Sequence, residues 1–190
     1  SNECWILPSL VDPDNSHSYF LTAGGMEHAK TVVNLISHLH PDITYCPVLY
    51  PMSCLFLHYM SPEACFNCLQ ALLASTKFCY FTQTKVKTEA TKYVLRDLAK
   101  KYAKPAYDLM TRSGESVEVI FGNWTRWIFR DLPFQYLVRI VDSFLLEGYK
   151  IFYRISLAIV ILFAKGYRNH NSPKTDIVAD ISKFCTNMSI

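Results

Sequence analysis

Trp124-Thr125-Arg126-Trp127-Ile128-Phe129-Arg130-Asp131-Leu132-Pro133-Phe134 opens the stretch that decides the fold, which runs on through Arg139-Ile140-Val141-Asp142 and Glu147-Gly148 to Tyr153-Arg154-Ile155-Ser156-Leu157-Ala158-Ile159. Proline removes a backbone donor and glycine permits conformations closed to other residues, so Leu132-Pro133 and Gly148 read as boundaries. Between and beyond them the spacing predicts an aromatic helix over 117–129, a helix over 134–146 and a central apolar helix over 149–165. In the last of these, Ile151, Leu157, Ile159 and Ile161 are the expected core. Its apolar run, 151–164, is interrupted by Arg154. At about 1.5 Å rise per residue it falls short of a hydrocarbon layer of about 30 Å, so it reads as a buried helix and not a transmembrane segment.

The same reasoning extends outward. Residues 1–22 are rich in Pro, Asp, Asn and Ser and read as an irregular lead-in, with the helical domain over 23–190. Gly24 and Gly25 precede a helix carrying Ala29, Val32, Val33, Leu35, Ile36 and Leu39 at spacings of three and four, stopped by Pro41. A second apolar helix is expected over 48–59. Ser61-Pro62-Glu63 then supplies an N-cap, a first-turn proline and an early acid for a third. Residues 76–88 read as a loop or short turn. A long amphipathic helix over 88–110 follows, with Tyr93, Val94, Leu98, Tyr102, Tyr107 and Leu109 on related faces and Pro105 kinking or splitting it. After Gly166 the polar stretch to Lys174 is a loop, and 176–185 a final helix. Nothing alternates with period two, so the class is all-α, a bundle of about seven to nine helices.

Of 190 residues, 51% are apolar, enough for one domain with a substantial core. Lys plus Arg number 19 against 16 Asp plus Glu, which leaves no charge density of the kind that binds nucleic acid over a whole surface. The seven cysteines are odd in number and irregularly spaced, with no leading apolar signal segment, which argues for reduced thiols in the cytosol. Cys46, Cys54, Cys65, Cys68 and Cys79 sit among apolar neighbours and read as core residues. Cys65-x-x-Cys68 could suggest zinc or redox chemistry, but no second pair completes four ligands. His38, His40 and His58 do not recur at metal spacing on one face. No metal site and no cofactor is expected.

The ordered series of aromatic helix, Leu-Pro-Phe turn, Arg-Ile-x-Asp helix, Glu-Gly break and Tyr-Arg-x-x-Leu-Ala helix resembles the closing signature of the TBC domain, the helical fold of Rab GTPase-activating proteins. That resemblance implies a chemical test. Active members supply an arginine in an Ile-x-x-Asp-x-x-Arg segment to neutralise phosphate charge, and a glutamine in a Tyr-x-Gln-Gly type segment to position the attacking water. The second segment is recognisable here as Pro41-Asp42-Ile43-Thr44-Tyr45-Cys46-Pro47-Val48-Leu49. Pro47 stands where the family has its glutamine. The arginine pattern is absent; Arg96-Asp97, Arg126 and Arg130-Asp131 lie in other contexts and read as solvated helix faces. Dual-finger catalysis is therefore not expected.

Asp42-Ile43-Thr44-Tyr45-Cys46-Pro47, with Leu7-Pro8, Val11-Asp12 and Ser18-Tyr19 upstream, is similar to the Skywalker-type branch, which joins a TBC domain to a TLDc domain and acts in synaptic and endosomal vesicle traffic. The similarity spans about 7–163. Against that resemblance the family's first helices are missing before Ser1 and no TLDc domain is present, so the chain reads either as a fragment of a larger protein or as a reduced relative. The branch is associated with a cationic pocket for phosphoinositide headgroups. Carried over by position, Arg139 matches one pocket arginine and Lys77 another cation. Arg139 could equally pair with Asp142, three residues on. Arg154 must snorkel or pair, with Glu147 or Asp142 as partner, and Trp124 and Trp127 read as a packed face. The resemblance thus implies a domain that binds a Rab- or Arf-family small GTPase, a membrane phosphoinositide, or both, and regulates vesicle trafficking without efficient finger catalysis. It would be cytoplasmic and peripheral at vesicle or endosomal membranes. The alternatives are an active GTPase activator completed by an upstream segment, and a non-catalytic helical interaction scaffold.

Overall fold

The structure, a computed structural model, describes residues 6–12, 17–122, 124, 129–167 and 176–188. Among these it is all-helical, with no strand. The nine described helices are α1 (Ala23–Leu39), α2 (Leu49–Phe56), α3 (Pro62–Leu73), α4 (Lys85–Tyr102), α5 (Lys104–Arg112), α6 (Val117–Gly122), α7 (Phe134–Glu147), α8 (Tyr149–Gly166) and α9 (Ile177–Thr186). They form two compact units divided within α4, after Thr88. Arg126 and Trp127 of the expected aromatic helix, and the polar loop after Tyr167, lie outside the described residues.

The first unit is built around α2, every residue of which is buried. A helix with no solvated face needs covering on its sides, and α1 and α3 supply it. Helix α1 begins where Thr22 accepts a hydrogen bond from the Gly25 amide, so Gly24 and Gly25 lie inside its first turn and do not precede it. It buries Ala29, Val32, Val33 and Ile36, while Leu35 and Leu39 from the same apolar pattern are about half exposed. Helix α3 opens as the sequence predicts, with Ser61 Oγ accepting from the Ala64 amide and Pro62 in the first turn. Helix α2 ends at Phe56, three residues short of the expected span. There His58 turns away, its Nε2 2.8 Å from the Tyr19 carbonyl.

The second unit is organised by α8, which packs against α5, α7 and α9. Gly148 ends α7 with φ 69°, a value that explains why glycine stands there: a side chain in that region clashes with its own backbone. Helix α8 buries Ile151, Phe152, Ser156, Ile159, Val160 and Phe163. Two of the four expected core residues are among them. Leu157 and Ile161 are only half-buried, because the buried stripe follows 152, 156, 159, 160 and 163 and leaves them at its margins.

Pro105 splits the long helix as expected: α4 ends at Tyr102 and α5 starts at Lys104 with the proline in its first turn. The buried face differs from the expectation. Tyr93, Val94 and Tyr102 are exposed, whereas Leu95, Ala99, Ala103, Ala106 and Met110 are buried, recurring at spacings of four, four, three and four. Small residues let the backbone approach its neighbours, and the larger ones point to solvent. Helix α4 also starts earlier than expected, at Lys85, where Thr84 Oγ1 accepts from the Lys87 amide. Helix α6 is described over Val117–Gly122, and residues 123 and 125–128 of the expected span lie outside the described residues. Asp176 caps α9, accepting from the Val178 and Ala179 amides.

Candidate functional site

In the first unit the segment carrying Pro47 is pinned from both sides. The Thr44 and Tyr45 amides donate to the Gln83 carbonyl, and the Cys46 amide to the Leu10 carbonyl at 2.6 Å. Pro47 follows in the turn into α2 and is buried. A proline has neither a side-chain amide nor a backbone N–H.

Lys77 lies in the same unit, exposed in the segment between α3 and α4, with its Nζ 5.1 Å from the centre of the Phe78 ring. That contact holds the stem against an apolar face, and among the described residues the ammonium has no carboxylate partner.

Arg139 belongs to the second unit and is exposed on α7. The alternative pairing with Asp142 is not made: among the described residues the Arg139 guanidinium has no carboxylate partner. Its backbone carbonyl accepts from Ser143 Oγ at 3.1 Å, a contact internal to the helix. The other cations of this unit are more engaged. Arg154 lies at the α8 surface with its side chain 58% exposed, and its Nη1 is 3.0 Å from Glu147 Oε2, so Glu147 is the partner and the side chain is not buried. Lys150 shares that carboxylate at 2.7 Å. The hydrogen bond from Lys150, with the Arg154 charge added, holds the Glu147 carboxyl below its ordinary range. Arg96 on α4 reaches Asp97 at 2.8 Å and Glu118 of α6 at 2.7 Å. Arg130 Nε stands 3.8 Å from Asp131. Trp124 is buried, edge-on to Phe121 and Phe129, whereas Trp127, its expected companion on one face, lies outside the described residues.

The thiols divide by burial. Cys46, Cys54, Cys65 and Cys185 are buried, Cys68 is intermediate, and Cys79 is exposed, contrary to its expected place in the core. Next to it Tyr80 and Phe81 are buried while Cys79 stays at the surface. Burial pushes the Cys46, Cys54 and Cys65 thiols up to about 12, which makes them inert hydrophobes. No group of His, Cys, Asp or Glu that could hold a metal ion occurs among the described residues.

One feature escapes a linear reading. A cavity of about 570 Å³ opens in the second unit between α5 and the end of α8, lined by Lys104, Asp108, Arg112 and Leu109 on one side and Ala164 and Tyr167 on the other. The only signal in the sequence is charge at every fourth position of α5. Its other wall comes from a helix more than fifty residues away.

The Rab-GTPase-TBC domain pattern matches residues 9–167. The chain belongs to the Rab-GTPase-TBC domain family. Among its relatives, the GTPase-activating protein skywalker of Drosophila melanogaster is 40% identical over 192 residues, covering 97% of this chain and 33% of the relative. TBC1 domain family member 24 of Xenopus tropicalis is 34% identical over 186 residues, covering 96% and 33%. The crystal structure of the TBC domain of Skywalker/TBC1D24 from Drosophila melanogaster in complex with inositol(1,4,5)triphosphate is similar with a TM-score of 0.92 at 39% identity, covering all of this chain and 69% of that one. This TBC chain spans about a third of the length of the curated relatives it matches. Among the described residues no helix is long and apolar enough to cross a membrane.

Proposed function

We propose that this TBC domain binds a Rab- or Arf-family GTPase and a phosphoinositide headgroup at vesicle or endosomal membranes, regulating traffic from the cytoplasmic side without dual-finger catalysis. The non-catalytic part is supported by Pro47, which is buried in the turn into α2 and on this reading takes the position of the family's glutamine. The lipid part is supported by Arg139, an exposed arginine with no carboxylate partner among the described residues, and by Lys77, exposed and held only by an aromatic face. A guanidinium forks onto phosphate oxygens, and the similar Skywalker domain has been crystallised with an inositol phosphate.

Vesicle binding tests the lipid part. Phosphoinositide vesicles should retain the chain more strongly than phosphatidylserine vesicles matched for charge, and the difference should shrink with salt. Arg139→Ala should lower phosphoinositide binding about tenfold, the scale of one charge-assisted hydrogen bond. Its thermal midpoint should stay within a few degrees of wild type, because no ion pair is lost. Equal retention on both vesicle types, or an unchanged affinity for the variant, would contradict the reading.

A further inference from the structure

The second unit carries a cationic corner that its own acids do not neutralise. Earlier on α4, Lys92 pairs with Glu89, and Arg96 with Asp97 and Glu118. Lys100 and Lys101, in the last turn, make no ion pair among the described residues, and neither does Arg112 at the end of α5. Lysines at a helix C-terminus stabilise its dipole and by themselves call for no ligand. Lys104 does not fit that explanation. It opens α5, where the dipole disfavours a cation, and α5 begins with no side-chain cap and no acid in its first turn. Its Nζ is 3.6 Å from Asp108, but the lysine is 72% exposed, and such pairs contribute little in water.

Tyr102 stands among these lysines with 61% of its surface exposed, and Lys101 Nζ lies 5.0 Å from its ring centre. The cavity adjoins this corner, with Lys104 and Arg112 flanking Asp108 on one helix face and Leu109 and Ala164 giving it apolar walls. Its volume of about 570 Å³ falls within the range that holds small polar ligands.

We propose that this corner is an anionic-lipid docking surface: Lys100, Lys101 and Lys104 face the charged headgroup layer, Tyr102 enters it, and the cavity beside Arg112 receives one phosphate-bearing headgroup. The chemistry favours a lipid surface over a protein partner. Lysine is depleted from protein interfaces, where its long flexible stem and strongly hydrated charge are costly to fix. A lysine cluster around an exposed tyrosine suits a diffuse anionic layer, which takes the charges at its surface and the ring at its boundary. All of these residues lie in the second unit and none is Arg139 or Lys77, so the surface stands independently of the headgroup reading above.

The test uses the full chain and vesicles of phosphatidylcholine with or without phosphatidylserine, free of phosphoinositide. Wild type and Arg139→Ala should bind the phosphatidylserine vesicles alike. Removing a lysine near an anionic surface costs about fivefold, so the variant Lys100→Gln/Lys101→Gln/Lys104→Gln should bind roughly a hundredfold more weakly. Its thermal midpoint should match wild type, since the three positions are solvent-facing. A Tyr102→Trp variant should add emission that shifts to the blue on these vesicles, above the wild-type tryptophan background, and is quenched by brominated lipid. No wild-type binding, a triple variant that binds as well as wild type, or a Tyr102→Trp signal that stays solvent-like would each overturn the proposal. A shift with polyglutamate and none with vesicles would also overturn it, assigning the corner to an acidic protein.

Discussion

Replacing Phe152 by alanine removes the centre of the second unit's aromatic packing. The ring is 3% exposed on α8. It stacks on Phe129 with centroids 5.6 Å apart and planes at 27°, and meets Tyr149 at 4.9 Å and Tyr153 at 5.8 Å. Truncating a buried phenylalanine costs about 3 to 5 kcal/mol, combining lost transfer energy with the cavity left behind. Phe129 is itself 3% exposed and held with φ 43°, so it has little room to move into the gap. We therefore place the cost near the middle of the range, about 4 kcal/mol. At about 2 to 4 °C per kcal/mol for a chain of this size, the thermal midpoint should fall by roughly 8 to 16 °C. Leu157→Ala is the control. Leu157 is half-buried on the same helix, so its loss should be well under half as large. Urea melts followed by far-UV circular dichroism measure both. Overlaid curves for Phe152→Ala and wild type, or a larger loss for Leu157→Ala, would refute the assignment of the buried stripe.

Thiol labelling should follow burial. In native protein near neutral pH, N-ethylmaleimide should modify Cys79 rapidly and leave Cys46, Cys54, Cys65 and Cys185, whose pKa values burial pushes up to about 12, to react only on unfolding, as peptide mapping would read. The Arg96–Glu118 tie between α4 and α6 should give an acid-side signature. Glu118 is held below its ordinary 4.5, first by its own backbone N–H and then by the Arg96 guanidinium. Its folded value is depressed, so its contribution is complete above 4.5 and is lost as pH falls through the lowered value. Glu118→Gln should cost about 0.5 kcal/mol at neutral pH, as measured by urea melts, with the gap to wild type closing as the medium is acidified.

The helices most legible in the sequence were those bounded by residues with a single structural meaning. Pro133 and Gly148 fixed α7 and the start of α8, and Ser61-Pro62 opened α3, because a missing donor, a positive φ and a capping hydroxyl act locally. The faces were less legible. Tyr93, Val94 and Tyr102 outweighed Ala99, Ala103 and Ala106 in an apolar pattern, yet close packing against neighbours selected the small residues. Pro47 could be located from sequence because it lies in a recognisable segment, whereas its burial depends on the amides that Gln83 and Leu10 accept from distant positions. The cavity beside Arg112 required α8, and nothing local to α5 announces it.

Single-turnover hydrolysis of GTP by a panel of Rab proteins, with and without this chain in excess, tests the central claim most directly. On the proposal that buried Pro47 takes the place of the family's glutamine, stimulation should stay below about tenfold on every Rab, against about a thousandfold or more where an arginine finger operates. Pro47→Gln alone should not raise it. Stimulation of about a hundredfold by the unmodified chain on any Rab would contradict the account.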